Sequence, residues 1–361
     1  MNHWISVAVQ TPAHSSVAGP LTYRSELPLP PGTLVRAPLG SREVLGIVWS
    51  PADGPPDGRA AEATRTIAGA LEGIEPLSAP WLELVAFAAG YYQRALGELA
   101  LAALPPQLRE LSSTQLARRL KAGAGKPRDV GAGNAAGKSP DFIALSDQQA
   151  LALAEFDSKP GPFLLFGATG SGKTEVYLHA VAALLERDPG AQALVMVPEI
   201  NLTPQLEARF NARFAPRYGD RAVVSLHSGM THPQRLKSWL AAHSGAARIV
   251  LGTRMAVFAS MPALRLIVVD EEHDPSYKQQ EGARYSARDL AVFRGRLDGA
   301  KVLLGSATPS LESWHHSRPA SVDDPGGRYT RLVMPGRIGD AGFPKVRRVD
   351  MNHQPMRTVF S

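Results

Sequence analysis

Eight residues, Gly167-Ala168-Thr169-Gly170-Ser171-Gly172-Lys173-Thr174, carry the G-x-x-x-x-G-K-[ST] spacing of a phosphate-binding loop. Gly170 and Gly172 allow the backbone to curl so that successive N–H groups face phosphate oxygens. A helix opening after the loop would add its partial positive charge. Lys173 is then placed to reach the β- and γ-phosphates of ATP, and Thr174 to ligate Mg²⁺. A bare glycine-rich turn would satisfy the same string. The apolar run Phe163–Phe166 ahead of it and the helical run Glu175–Leu185 behind it are the setting a phosphate loop needs.

The second half of such a site is Leu266-Ile-Val-Val-Asp-Glu-Glu-His273. A buried strand would deliver Asp270 and Glu271 at its carboxyl end, where open α/β sheets bind ligands. Asp270 suits Mg²⁺, and Glu271 suits orienting and activating an attacking water. Three acids after an apolar strand are, alone, usually a solvated loop. Downstream of a phosphate loop they indicate an ATP-hydrolysing motor, since a small-molecule kinase would not need the adjacent Glu-Glu-His.

The elements that must position these residues are legible as apolar runs at Phe163–Phe166, Ala193–Val197, Ala222–Leu226, Arg248–Leu251, Leu266–Val269 and Lys301–Leu304. Near-continuous apolar strands alternating with helices predict an α/β lobe, a parallel sheet covered on both faces, over residues 145–320. Residues 1–105 read differently, with short β runs at Ile5–Val9, Thr33–Ala37 and Val44–Trp49 punctuated by Pro and Gly. Trp81, Leu84, Val85, Phe87, Ala88, Tyr91 and Tyr92 then recur at helical spacing, continued by Leu96, Leu99 and Leu104. A small, mainly β domain closed by one or two helices is expected. Residues 107–120 could form a short basic helix. The stretch through Gly131-Ala-Gly-Asn-Ala-Ala-Gly137 is too poor in large apolar residues to fold by burial, so 106–144 reads as a linker. Residues 321–361 read as polar and irregular, the start of a connection.

The 361 residues hold 44% hydrophobic residues, a formal charge of +6 and no cysteine. The basic excess favours nucleic acid as partner. No apolar run approaches a membrane span and no secretory signal is visible, so a cytoplasmic protein without membrane contact is expected. Absent cysteines exclude disulfides and thiolate metal sites within these residues.

Further strings then fall in order. Asp270-Glu-Glu-His273 resembles the DEAH-like motif II of superfamily 2 helicases. Val197-Pro-Glu-Ile200 with Thr203-Pro-Gln resembles their motif Ia, Gly252-Thr253-Arg254 motif Ib, and Gly305-Ser306-Ala307-Thr308-Pro309-Ser310 motif III. Leu145 followed by Gln149 resembles the upstream motif whose glutamine contacts adenine. Two longer strings, Gly170-Ser-Gly-Lys-Thr-Glu-Val-Tyr177 and Asp270 through Leu290, are similar to the PriA family of replication-restart helicases. The resemblance implies a P-loop, RecA-like lobe preceded by a DNA-binding domain, and an ATP- and Mg²⁺-dependent 3′–5′ helicase. It would recognise abandoned forks and single strands, promote primosome assembly and replicative helicase loading, and meet single-strand-binding protein and other primosome proteins.

The segment after motif II would be an aromatic-rich loop coupling single-strand binding to hydrolysis, with Tyr277, Lys278, Arg284, Tyr285 and Arg288 as candidate DNA contacts. Aromatic faces stack on bases while Lys and Arg neutralise phosphates. His273, Ser306 and Thr308 would relay between nucleotide and DNA, and Thr253 and Arg254 would contact phosphates. Gly32-Thr-Leu-Val-Arg-Ala-Pro-Leu-Gly40 resembles the family's 3′-end-binding domain. Its pocket maps onto Thr22, Gly40 and Arg65. Thr22 stands where the family has an acid and Arg65 where it has a lysine. Departures follow: no room for a full winged helix in 106–144, no second lobe with a Gln-x-x-Gly-Arg arginine finger, and no cysteines for the family's zinc. A fragment ending after lobe 1 is expected, binding DNA without unwinding it. Another superfamily 2 translocase and a fork-binding scaffold with a silent motor stay open as alternatives.

Overall fold

The computed structural model describes residues 3–11, 19–55, 63–111, 115, 116, 118 and 143–337. The expected linker through Gly131–Gly137 and residues 338–361 lie outside the described residues.

Period-two alternation builds the first sheet. Strands β1 (His3–Val9), β2 (Leu21–Ser25), β3 (Leu34–Leu39), β4 (Arg42–Pro51) and β5 (Gly69–Ala70) pair antiparallel in the order β2-β1-β4-β3-β5. Ile5, Val7, Val9, Tyr23, Val35, Ala37 and Val48 share one core. Their neighbours Leu34 and Ile47, with Leu45, turn to the other face and pack under the helices. The short strands β2 and β5 carry no apolar run in the sequence that announces them.

Helix α1 (Ala79–Tyr91) starts where Ser78 accepts a hydrogen bond from the Trp81 amide and Pro80 occupies the first turn. It is followed by α2 (Leu96–Ala102) and α3 (Gln107–Glu110). The expected helix over 107–120 is interrupted: α3 stops at Glu110, Leu111 is extended, and the Arg36 guanidinium collects the carbonyls of Leu108, Arg109 and Leu111, while the described residues 115, 116 and 118 are helical again.

The second unit opens with α4 (Asp147–Ser158), set by a reciprocal Ser146/Gln149 capping box. There follow β6 (Phe163–Gly167), α5 (Lys173–Arg187), β7 (Gln192–Met196), α6 (Pro204–Tyr218), β8 (Val223–Leu226), α7 (His232–His243), β9 (Ile249–Gly252), β10 (Leu264–Val269), α8 (Ala287–Asp298), β11 (Lys301–Ser306), α9 (Leu311–His316) and β12 (Thr330–Met334). The seven strands run parallel in the order β12-β6-β11-β10-β7-β9-β8. One face packs Phe163, Leu165, Val195 and Val268 against α4, α5 and α6; the other packs Leu164, Met196, Ile267 and Leu304 beside Trp239 of α7 and Leu290 of α8. The sheet is buried on both sides, which is why its strands read as unbroken apolar runs. β12 corrects the irregular reading from Ser321 onward: Leu332 and Met334 point into the core beside β6.

The two units share one continuous core. Leu84, Val85 and Ala88 of α1 belong to the same cluster as Phe258, Tyr285 and Leu290. The Trp81 indole donates to the Phe258 carbonyl at 2.7 Å. Phe87 stacks on Phe293 with ring centroids 3.9 Å apart.

Candidate nucleotide and DNA sites

All of the motif residues from Gly167 onward fall at the carboxyl edge of the parallel sheet. The phosphate loop leaves β6, Gly170 and Gly172 hold φ of 83° and 79°, and α5 starts at Lys173. Thr169 and Gly170 are exposed, Thr174 is half-buried, and Lys173 is buried. The Lys173 ammonium donates to the Gly167 carbonyl at 3.1 Å and lies 3.6 Å from Glu271 Oε1. The loop cation and the motif II acid Glu271 therefore meet although they stand 98 positions apart in the chain (271 − 173).

Asp270 directly follows β10 and is half-buried. Burial pushes its carboxyl above the usual range, opposed by a hydrogen bond from Tyr177. That hydroxyl donates to Asp270 Oδ1 at 2.9 Å, and the Tyr277 hydroxyl donates to the Asp270 carbonyl at 2.7 Å. Glu271 adopts φ of 45°, a left-handed conformation costly for a residue with a side chain, which turns the strand end sharply. Alternate acids consequently diverge. Glu271 stays accessible beside Lys173, whereas Glu272 is 1% exposed. Glu272 accepts from the Ser310 amide at 2.7 Å, from the Ser310 and Ser313 hydroxyls at 3.0 and 2.9 Å, and from Arg288 at 3.3 Å. Glu272 and Tyr177 are site residues that motif reading passed over.

His273 lies 2.8 Å from Ser306 Oγ through Nδ1 and 3.3 Å from Thr308 Oγ1 through Nε2, so the motif II histidine and both motif III hydroxyls are brought together. Arg254 donates to the Ser276 carbonyl at 3.0 Å, linking motif Ib to the loop after motif II. Glu199, Ser228, Thr253, Arg254, Ser276 and Gln279 line one concave pocket there. Behind it Arg294, itself buried, donates to the Val257 and Ala259 carbonyls at 2.7 and 2.8 Å.

Three expected DNA contacts, Tyr277, Tyr285 and Arg288, take a different form. Tyr277 and Tyr285 are 2% and 8% exposed, so neither presents a ring to a base. Tyr277 braces Asp270, and Tyr285 packs edge-on against Phe258. Arg288 spends its charge on Glu272, Asp289 and Glu312. Gln149, 2% exposed, accepts from the Ser146 amide and donates to the Ser171 and Gly172 carbonyls, which ties α4 to the phosphate loop. Lys278 and Arg284 remain exposed. The loop carrying them docks on the first unit. The Ser286 amide donates to the Tyr92 hydroxyl at 3.0 Å, Arg94 donates to the Gly282 carbonyl at 2.7 Å, and Lys278 sits 5.4 Å above the Tyr92 ring.

In the first unit the Arg65 guanidinium donates to the Gly40 carbonyl, bringing two of the expected pocket residues together. Thr22 is half-buried on β2, whose Arg24 amide bonds the Arg65 carbonyl at 3.0 Å. Among the described residues no group of three or more His, Cys, Asp or Glu could hold a metal ion. The oxygen pair Thr174 and Asp270 suits Mg²⁺, which takes one or two protein ligands and completes its shell with phosphate and water. The residues present fit that ion. No helix among the described residues is long and apolar enough to cross a membrane.

A phosphate loop on a parallel sheet, with Asp-Glu-Glu-His on the neighbouring-but-one strand, defines a helicase-type ATPase lobe, and residues 146–316 match the DEAD/DEAH box helicase family. Residues 6–105 match the 3′DNA-binding domain of PriA. The replication restart protein PriA of Haemophilus influenzae is 42% identical over 61% of this chain and 28% of its own length. That of Rickettsia felis is 33% identical over 90% of this chain and 45% of its own. The chain belongs to the PriA family and spans less than half the length of these relatives. A solved chain of DEAD-box helicase Mss116 bound to ssRNA and UDP-BeF aligns at TM-score 0.40 and 20% identity, over 54% of this chain and 41% of that one.

Proposed function

We propose that this chain is the fork-reading and ATP-binding part of a 3′–5′ DNA helicase that restarts replication. It would recognise abandoned forks, expose single strand and promote loading of the replicative helicase with primosome proteins and single-strand-binding protein. The observation that carries the reading is the meeting of Lys173 and Glu271 at 3.6 Å on an edge that also gathers His273, Ser306 and Thr308. Lys173 would leave Glu271 for the β- and γ-phosphates of ATP, releasing that carboxylate to orient water. Backbone amides of residues 167–174 would cradle the phosphates. Thr174 and Asp270 would hold Mg²⁺, which when bound screens the phosphate charge.

Single-stranded DNA would run past Thr253 and Arg254 toward Lys278 and Arg284. Its effect would reach Asp270 through Tyr277. Gly40 and Arg65, with Thr22 in place of an acid, would receive the 3′ end of a leading strand. Division at 1–105, 106–144 and 145 onward follows from these roles, with β12 assigned to the lobe. The zinc of the family would need ligands other than cysteines of this chain.

The experiment is anisotropy of this chain on a labelled fork whose leading strand ends in a 3′-hydroxyl or a 3′-phosphate. Preference for the hydroxyl is expected. Equal binding to both ends would leave a general DNA-binding motor segment.

A further inference from the structure

Tyr177 sits on α5 one turn beyond Thr174, in a string that identifies the family yet leaves this residue without a task. It is 1% exposed, so its polar hydroxyl is held in an apolar interior and must find a partner. The partner is Asp270 Oδ1 at 2.9 Å. Reaching it requires passing the first residue of motif III. A Cβ on residue 305 would lie 1.6 Å from the Tyr177 hydroxyl, and the chain carries Gly305 there. Gly305 also accepts from the Glu272 amide at 3.0 Å, so the acid run, the glycine and the tyrosine form one packed unit. One carboxylate oxygen of Asp270 is thus fixed by a neutral donor that cannot compete for a cation, while the main chain is fixed by Tyr277.

We infer that Tyr177 is a positioning residue for the cation site. Its hydroxyl holds the Asp270 carboxylate in the orientation that receives Mg²⁺ with the nucleotide, and Gly305 is the space that lets it do so. The inference rests on the nucleotide-site reading given above. Outer partners that orient a ligating carboxylate are worth ~10–100-fold in metal affinity. Tyr177→Phe keeps the ring and the packing and removes only the donor. Gly305→Ala keeps the donor and pushes it off the carboxylate.

The test is a Mg²⁺ titration of a fluorescent, non-hydrolysable ATP analogue on full-length protein carrying this segment, with analogue affinity also measured in EDTA. For Tyr177→Phe the Mg²⁺ midpoint should rise ~10-fold or more, with affinity in EDTA unchanged. Gly305→Ala should shift the midpoint the same way. An unchanged midpoint in both variants overturns the role, as does an equal loss of affinity with and without Mg²⁺, which would mark Tyr177 as mere packing. If the unaltered protein binds the analogue neither with nor without Mg²⁺, the nucleotide-site reading itself fails and takes the inference with it.

Discussion

The indole nitrogen of Trp81 donates to the carbonyl of Phe258 at 2.7 Å, joining the helix that closes the first sheet to the turn that follows motif Ib. Both groups are buried, and Arg294 secures the carbonyls on either side of Phe258. Replacing Trp81 by Phe should leave that carbonyl without a donor and cost about 1–3 kcal/mol. Chemical denaturation would read the loss. No change in midpoint would show that water replaces the indole.

Glu271→Gln removes the accessible acid beside Lys173 and nothing from the buried Glu272 network. ATP turnover of full-length protein should fall ~10²–10⁴-fold while nucleotide binding persists. Turnover equal to the unaltered protein would refute the assignment of Glu271 as the group that activates water.

Glu272→Ala should act on stability. It strips the Ser310 amide, two hydroxyls and Arg288 of a common acceptor, and breaking a buried ion pair from one side costs ~3–5 kcal/mol. A urea titration that placed this variant level with Glu271→Gln would contradict the division of labour between adjacent acids.

Lys278→Ala with Arg284→Ala should weaken single-strand binding and flatten its salt dependence by about 1.4 in log–log slope, two phosphates at ~0.7 each. Tyr285→Ala, by contrast, should lower the melting temperature because its ring is packed against Phe258. An unaltered salt slope in the double variant would remove both cations from the DNA path.

His243 supplies a pH dependence. Its Nε2 donates to the Glu75 carbonyl and its Nδ1 accepts from the Ser260 hydroxyl, both at 2.9 Å, which sets a neutral tautomer at the seam between the units. Burial lowers its pKa, partly offset by the Glu75 carbonyl and carboxylate. The unfolded chain then binds more protons than the folded one below the ordinary histidine value. The stability is present above about 6.5 and is lost as pH falls through the folded value. Melting temperature should decline on acidification from 6.5, and His243→Gln should flatten the decline. Parallel curves would assign the acid sensitivity elsewhere.

Legibility followed burial geometry. β6, β7, β9, β10 and β11 announce themselves because both of their faces are covered, so nearly every residue is apolar. β12 does not, since Thr330-Arg-Leu-Val-Met334 is an edge strand burying only Leu332 and Met334. The phosphate loop and Asp270-Glu271 were readable as local strings. Glu272 is not, because its partners Arg288, Ser310 and Ser313 stand 16, 38 and 41 residues downstream and only the fold unites them. Tyr277 and Tyr285 misled for a related reason. A tyrosine in a polar loop carries no mark of whether its ring faces solvent or a neighbouring helix, and here α1 and the Arg254–Phe258 turn cover the loop.

Because α1 is encoded with the first sheet but buried against Phe258, Tyr285 and Leu290, covalent and mechanical boundaries of this chain do not coincide. Severing the backbone between residues 119 and 142 should therefore release nothing: the two pieces would elute together, clasped by Trp81 and the Phe87–Phe293 stack. Residues 143–337 expressed alone would bare that apolar face to solvent and associate with one another. The same helix and the residues just after it hold the loop that braces Asp270, through Tyr92 on Ser286 and Arg94 on Gly282, so the first unit and the phosphate-loop lobe are packed as one body.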